Sequence, residues 1–302
     1  MTNPLFKQKH IFISAEVEEC KVIVARKNLE YEDEQVDFYL FEPDYTIAGS
    51  TGFLLWPGSW ILIDLLKGAL GTRLHGRRVI ELGSGTGLAG LCAAAAGAHV
   101  LMTDLPSVVH GILADNVKRN ADQRSQNAWS SEQSPPFDGQ RGNVEAEHPV
   151  TADSYNRAPK SWASSAFIGK RGGSAACMPL DWSEPLLSQV ENATRNLQQD
   201  VSKTEALIAC DVVWLKELLH PFRDTVIGIL RLCAPATPFF LTFIDRAKGT
   251  GTGNFSSRDE VAALFSDMGC HVQTYCVKEN VQIDGEYLHA EVMEIFLEKE
   301  CV

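Results

Sequence analysis

The stretch Arg77-Arg78-Val79-Ile80-Glu81-Leu82-Gly83-Ser84-Gly85-Thr86-Gly87-Leu88-Ala89-Gly90 decides the fold. A short apolar run ends in the acid Glu81, glycines alternate at Gly83, Gly85 and Gly87, and a helix-forming run follows from Leu88 to Ala96. This is a strand, a tight turn and a helix start, in which only glycine lets the backbone approach a ligand closely. Gly85, Gly87 and Gly90 also satisfy the dinucleotide spacing GxGxxG, so the turn alone leaves nicotinamide and flavin cofactors open. Glu81 separates the options. A carboxylate beside the turn opposes a pyrophosphate but suits a ligand bearing an ammonium group. S-adenosylmethionine carries a free amino acid, a sulfonium and no phosphate, and it is the cofactor expected here.

Outward from this turn, strand and helix alternate, as in a mostly parallel sheet with helices on both faces. Strands are expected at Arg78 to Leu82, Ala98 to Thr103, Ala176 to Leu180, Ala206 to Cys210 and Pro238 to Ile244. Helices are expected at Leu88 to Ala96, Ser107 to Asn120, within the acidic-amide stretch Ser188 to Lys203, at Lys216 to Leu232 and at Ser256 to Met268. Two final strands, His271 to Gln282 and Tyr287 to Glu298, meet through Asp284-Gly285, a hairpin signal. The fold class is therefore α/β: a Rossmann-like, seven-stranded sheet closed by an antiparallel carboxyl-terminal hairpin, which differs from the dinucleotide topology.

Two regions fall outside the alternation. Residues 1–50 read as an amino-terminal β extension, with strands at Lys21 to Ala25 and Val36 to Phe41 and a charged loop from Lys27 to Gln35 between them. Pro57, after Trp56, is placed to open a helix. Residues 121–175 are rich in Ser, Gln, Asn, Gly and Pro with isolated apolar residues, and read as a disordered insert. Within it, Trp162 and Phe167 suggest at most a short recognition helix.

A formal net charge of −12 argues against a phosphate-backbone partner, so no nucleic acid is expected. No apolar run matches a signal peptide or a bilayer span, so no membrane partner is expected. The eight cysteines form no CxxC pair and sit mostly in apolar runs, as buried reduced thiols do; with no HExxH either, no metal is expected.

The remaining candidates close the strands of the sheet. Asp104, about twenty residues after the turn, is placed to accept both ribose hydroxyls, although it could also cap the turn before Pro106. Asp181 and Trp182 follow the third strand, where an acid can accept the adenine amino group and an indole can cover the ring. Asp211 leaves the fourth strand after Cys210, and an acid there needs a partner. A substrate amine would supply one, with Trp214 as an aromatic wall; the alternative is an N-cap for the Lys216 helix.

Trp56, Glu81-Leu82-Gly83-Ser84-Gly85-Thr86-Gly87, Asp104, Asn116, Asn120, Asp181-Trp182 and Asp211-x-x-Trp214 together resemble the seven-β-strand protein lysine methyltransferases, also called methyltransferase family sixteen. The resemblance runs from about Val36 to Glu298 without the insert, and implies a class I methyltransferase domain over 51–302. It implies cofactor contacts at Trp56, Gly83, Ser84, Gly85, Asp104, Trp182 and Cys210, with Asp211 and Trp214 at the methyl-transfer site. The family carries Tyr where this chain has Trp214, which preserves an aromatic wall and loses a phenol. Arg246 and Phe255 fall where the family has an Arg and an aromatic. The implied activity is methylation of lysine in a protein substrate such as a chaperone or translation factor, in the cytoplasm and also the nucleus. The alternatives are another acceptor (protein arginine, protein histidine or a small molecule) or a non-catalytic adaptor. Oligomeric state is not legible.

Overall fold

The computed structural model describes residues 7–30, 51–121, 162–213, 215–247, 255–283 and 286–298. An amino-terminal hairpin pairs β1 (Lys7–Val17) with β2 (Cys20–Glu30). Helices α1 (Pro57–Leu66) and α2 (Ala69–Leu74) lead into β3 (Arg78–Leu82), α3 (Leu88–Ala95) and β4 (His99–Asp104). Helix α4 opens at Pro106–Val108, passes through a π-helical turn at Val109–Leu113 and stays helical over 114–121. Next come β5 (Ala166–Phe167), β6 (Ser174–Pro179), α5 (Leu186–Leu197) and β7 (Ala206–Cys210). The chain continues through α6 (Lys216–Leu232), β8 (Phe239–Ile244), α7 (Arg258–Ser266), β9 (Cys270–Ile283) and β10 (Glu286–Leu297).

The main sheet runs β5-β6-β4-β3-β7-β8-β10-β9. Its five strands from β6 to β8 are mutually parallel, and β10 and β9 close it antiparallel. The alternation, the central strand β3 and the closing hairpin match the expected α/β class; the eighth strand, β5, is a two-residue antiparallel addition at the edge. Parallel strands covered on both faces must be apolar on both faces, and β7 and β8 are buried throughout. Successive residues of β3 serve different cores. Val79 packs with α1, α2, α3, α4 and the amino-terminal hairpin, whereas Ile80 packs with α5, α6 and α7.

The hairpin differs from expectation. Lys21 to Ala25 does lie in a strand, but its partner precedes it, and residues 27–30 continue that strand. Glu18 and Glu19 make the two-residue turn with φ of 50° and 58°, the left-handed pattern of a hairpin turn that Asn-Gly usually fills. Val36 to Phe41 lies outside the described residues. Asn116 and Asn120 hold β2 to the main domain. Asn116 Oδ1 accepts from Ala25 N at 2.8 Å and its Nδ2 donates to Ala25 O at 3.0 Å, while Asn120 does the same to Ile23 at 2.9 and 2.8 Å. Two side-chain amides thus take the place of a neighbouring strand.

The region read as a disordered insert is ordered at its far end. Trp162 is buried in the second core, donates from Nε1 to His99 O at 2.7 Å and faces Arg78; Phe167 lies in β5 and is exposed. Neither belongs to a recognition helix. One buried indole anchors the return of the chain to the sheet, despite the polar composition around it.

Candidate active site

The carboxyl ends of β3, β4, β6 and β7 form one rim, and the glycine turn occupies its centre. Gly83, Gly85 and Gly87 have φ of 66°, 53° and 82°, conformations that side chains resist. A Cβ on Gly83 would lie 2.6 Å from Val212 Cγ1 and 3.2 Å from Trp182 Cζ2, and one on Gly85 would lie 3.1 Å from Gly52 O. Gly85 N donates to Asp104 Oδ2 at 2.7 Å, and Leu105 N donates to Oδ1 at the same distance. Burial raises the Asp104 carboxyl to about 6 against the pull of those two N–H groups.

Trp182 reaches the turn, as expected, and packs edge-on against Phe222 at 4.9 Å. Asp181 Oδ1 is engaged in a local turn by Ser183 N and Oγ at 2.9 and 2.6 Å. Ser84 N donates to Thr103 O at 2.9 Å, which ties the turn to β4. The Cys210 thiol is turned into the first core, and burial pushes it well above its ordinary range, so this residue meets the rim through its backbone.

Glu81 departs from expectation. Its carboxyl is buried beneath the turn, and burial raises it to about 8, aided by the nearby Asp104 charge and opposed by hydrogen bonds from Ser84 and Gly90. Oε2 has no hydrogen-bond partner. A group so enclosed, and protonated near neutrality, does not present a carboxylate to a ligand ammonium; it lies between the turn and the start of α3. The acid that looked like a ligand contact in the sequence is part of the turn's underside.

Asp211 also departs from expectation. Its partner is Arg246, whose Nη1 donates to Oδ1 at 2.5 Å and Nη2 to Oδ2 at 2.7 Å. Gly58 N donates to Oδ2 at 3.4 Å. The N-cap of α6 is Leu215, so Asp211 does not cap that helix. Arg246 Cζ lies 5.5 Å from the centroid of the Trp56 ring, and Trp56 Nε1 donates to Thr51 O at 3.1 Å. Phe255 forms an isolated β-bridge with Leu215, and Trp214 lies outside the described residues.

Sequence reasoning missed the roof of the site. Gly52 passes between Gly85 and Val108, and Phe53 covers Gly111 in the π-helical turn, where a Cβ would meet its ring at 2.8 Å. The segment Thr51 to Trp56 therefore lies across the glycine turn and ends at Arg246. Two aromatics, Phe53 and Trp56, close behind Gly52 were the available signal. A separate cleft, of about 390 Å³, is bordered by His75, Arg77, Glu205 and Pro238. These residues precede β3, β7 and β8, at the opposite end of the sheet from the face where such folds bind ligands.

The model of a family described as lysine methyltransferase matches residues 41–133, which include Trp56, the glycine turn, Asp104 and both asparagines. Over these residues the sequence is similar to that methyltransferase family. The match ends before Asp181, Asp211 and Arg246. Among similar proteins, protein-lysine methyltransferase METTL21E of Bos taurus is 40% identical over 70 residues, 23% of this chain and 24% of that one. Protein N-lysine methyltransferase METTL21A of Danio rerio is 49% identical over 55 residues, 18% of this chain and 25% of that one. The chain spans about a quarter of the length of the curated relatives it matches. Among solved structures, magnesium protoporphyrin IX methyltransferase from Synechocystis PCC 6803 aligns with a TM-score of 0.42 at 13% identity, covering 80% of this chain and 78% of that one.

Proposed function

We propose that this chain is an S-adenosylmethionine-dependent methyltransferase that acts on lysine side chains of a protein. The observation that carries the reading is the acid-lined glycine cradle at the carboxyl end of β3, facing Asp211 across the same rim. Asp104, at the glycine turn, is an acid where a dinucleotide would bring phosphates, which favours a ligand without them. The positive φ at Gly83 and Gly85 and the close approach of Val212, Trp182 and Gly52 O bar side chains from the turn, which leaves its backbone as the surface offered at the rim. When bound, S-adenosylmethionine would supply an electrophilic methyl group on sulfonium sulfur.

The protein's share is orientation and exclusion of water. Asp104 is held by two backbone N–H groups and keeps lone pairs for ribose hydroxyls. Trp182, against Gly83, would cover the adenine, and Asp181 would accept from its amino group through the oxygen left outside the Ser183 turn. Asp211 would orient a deprotonated lysine Nζ. The methyltransferase relatives named for protein lysine support a protein acceptor. Buried unpaired thiols at Cys92 and Cys210 support a reducing compartment, cytoplasmic or nuclear.

Thermal shift with S-adenosylmethionine and, separately, NAD tests the cofactor; stabilisation by NAD alone would refute it. Labelled cofactor with cell lysate, followed by mass spectrometry of the modified residue, tests the acceptor. Asp211→Asn is expected to keep cofactor binding and lower label transfer by about a hundredfold. Undiminished transfer would remove Asp211 from the reaction.

A further inference from the structure

The partner of Asp211 carries information about the acceptor. Asp211 closes β7, Arg246 follows β8, and the two strands are neighbours in the sheet, so the pair joins adjacent strand ends. The side chains are 1% and 13% exposed. Each carboxylate oxygen takes one N–H of the guanidinium, and the Trp56 ring lies 5.5 Å from Cζ. The acid cannot move aside toward α1, because Gly58 already needs the absence of a side chain to pass it: a Cβ there would lie 2.6 Å from Asp211 Cβ.

A planar carboxylate fork beside an aromatic face is how proteins recognise a guanidinium. Here the chain fills that seat with its own arginine. The pair carries no net charge, and a second guanidinium would meet a like charge in the seat it needs. A neutral primary amine asks less of the site: one remaining carboxylate lone pair suffices to orient it.

We propose that Arg246 is the specificity-determining and positioning residue of the acceptor site. It fixes the Asp211 carboxylate and, by occupying the fork, excludes guanidinium acceptors in favour of primary amines. This rests on the reading of Asp211 as part of the methyl-transfer site, and the wild-type protein tests that reading separately. Wild type is first assayed for S-adenosylmethionine binding and for transfer of labelled methyl to lysate protein, with the products hydrolysed and separated as methyl-lysine and methyl-arginine. If wild type binds no cofactor or transfers no label, the parent reading fails and this proposal falls with it.

Given an active wild type, Arg246→Ala is expected to bind cofactor within about threefold of wild type and to lose at least about tenfold in methyl-lysine formation. Guanidinium chloride at about 10 mM should restore part of that loss, whereas ammonium chloride should not, because only the former reproduces the planar fork. Folding of Arg246→Ala is at risk from the buried acid left alone, so Arg246→Lys is measured beside it. Lysine keeps the charge without the fork, and is expected to lower kcat at least about threefold with cofactor affinity unchanged. Unchanged kcat in Arg246→Lys, a folded Arg246→Ala that guanidinium does not rescue, or methyl-arginine as the main wild-type product would each overturn the proposal.

Discussion

Glu81 has almost no contact with water, and its Oε2 has no hydrogen-bond partner. Its carboxyl is raised to about 8, so between the ordinary carboxylate range and that value the folded chain keeps a proton that the unfolded chain has released. Stability therefore falls as pH rises through this window, by up to about 1.4 kcal/mol per pH unit. Asp104, raised to about 6, adds to the decline over the lower part. Glu81→Gln has no proton to lose and should show a flatter fall in Tm between about pH 5 and pH 8. Thermal melts across that range decide it, and equal slopes in the two proteins would mean that Glu81 is ionised in the fold. The sequence located this acid and Arg246 but could not say what either one touches. Spacing along a strand reports which residues reach the rim; whether a carboxylate faces a ligand or an arginine from the next strand depends on packing between strands.

The amino-terminal hairpin was half legible. The β-branched run Val22-Ile23-Val24 marks β2, but turn signals are read from Gly, Asn and Asp, and this turn is made of two glutamates in left-handed conformations. Their exposed ion pairs, Glu18 with Arg171 at 2.8 Å and Glu19 with Lys170 at 3.7 Å, return at most about 1 kcal/mol each, against a strain of about 1–2 kcal/mol per residue. The turn is therefore held by its strands. The two asparagines supply what the turn lacks. Asn116→Ala would leave Ala25 N and O without their partners and remove the bond from Nδ2 to Thr86 O in the glycine turn. We expect a loss of about 2–4 kcal/mol and faster amide exchange at Ala25. Protection equal to wild type at that amide would show that the hairpin docks without Asn116. By contrast, α7 was legible as a helix over Ser256 to Met268, and the structure adds that Ser257 and Glu260 open it with the two hydrogen bonds of a capping box.

Two apolar layers enclose the sheet, and their separation follows from the alternation along each strand. That pattern made the α/β architecture readable: apolar runs of strand length, separated by helical ones, admit few other arrangements. The far end of the insert was not readable, since one tryptophan among polar residues is a weak signal by periodicity. Its contribution to the molecule is large all the same. Trp162 is part of the second core, donates to His99 O and lies under Arg78. Trp162→Ala should cost about 3–5 kcal/mol, read as a lower denaturant midpoint, and little change would mean that the indole packs less tightly than this.

The two asparagines that dock the hairpin also have a consequence in time. The amides that receive residues 23–25 lie 91 and 97 residues later in the chain. A hairpin closes in microseconds, whereas synthesis proceeds at about 5–20 residues per second, so β1 and β2 can meet seconds before their seat exists. In the nascent chain the hairpin can take shape well before it is secured.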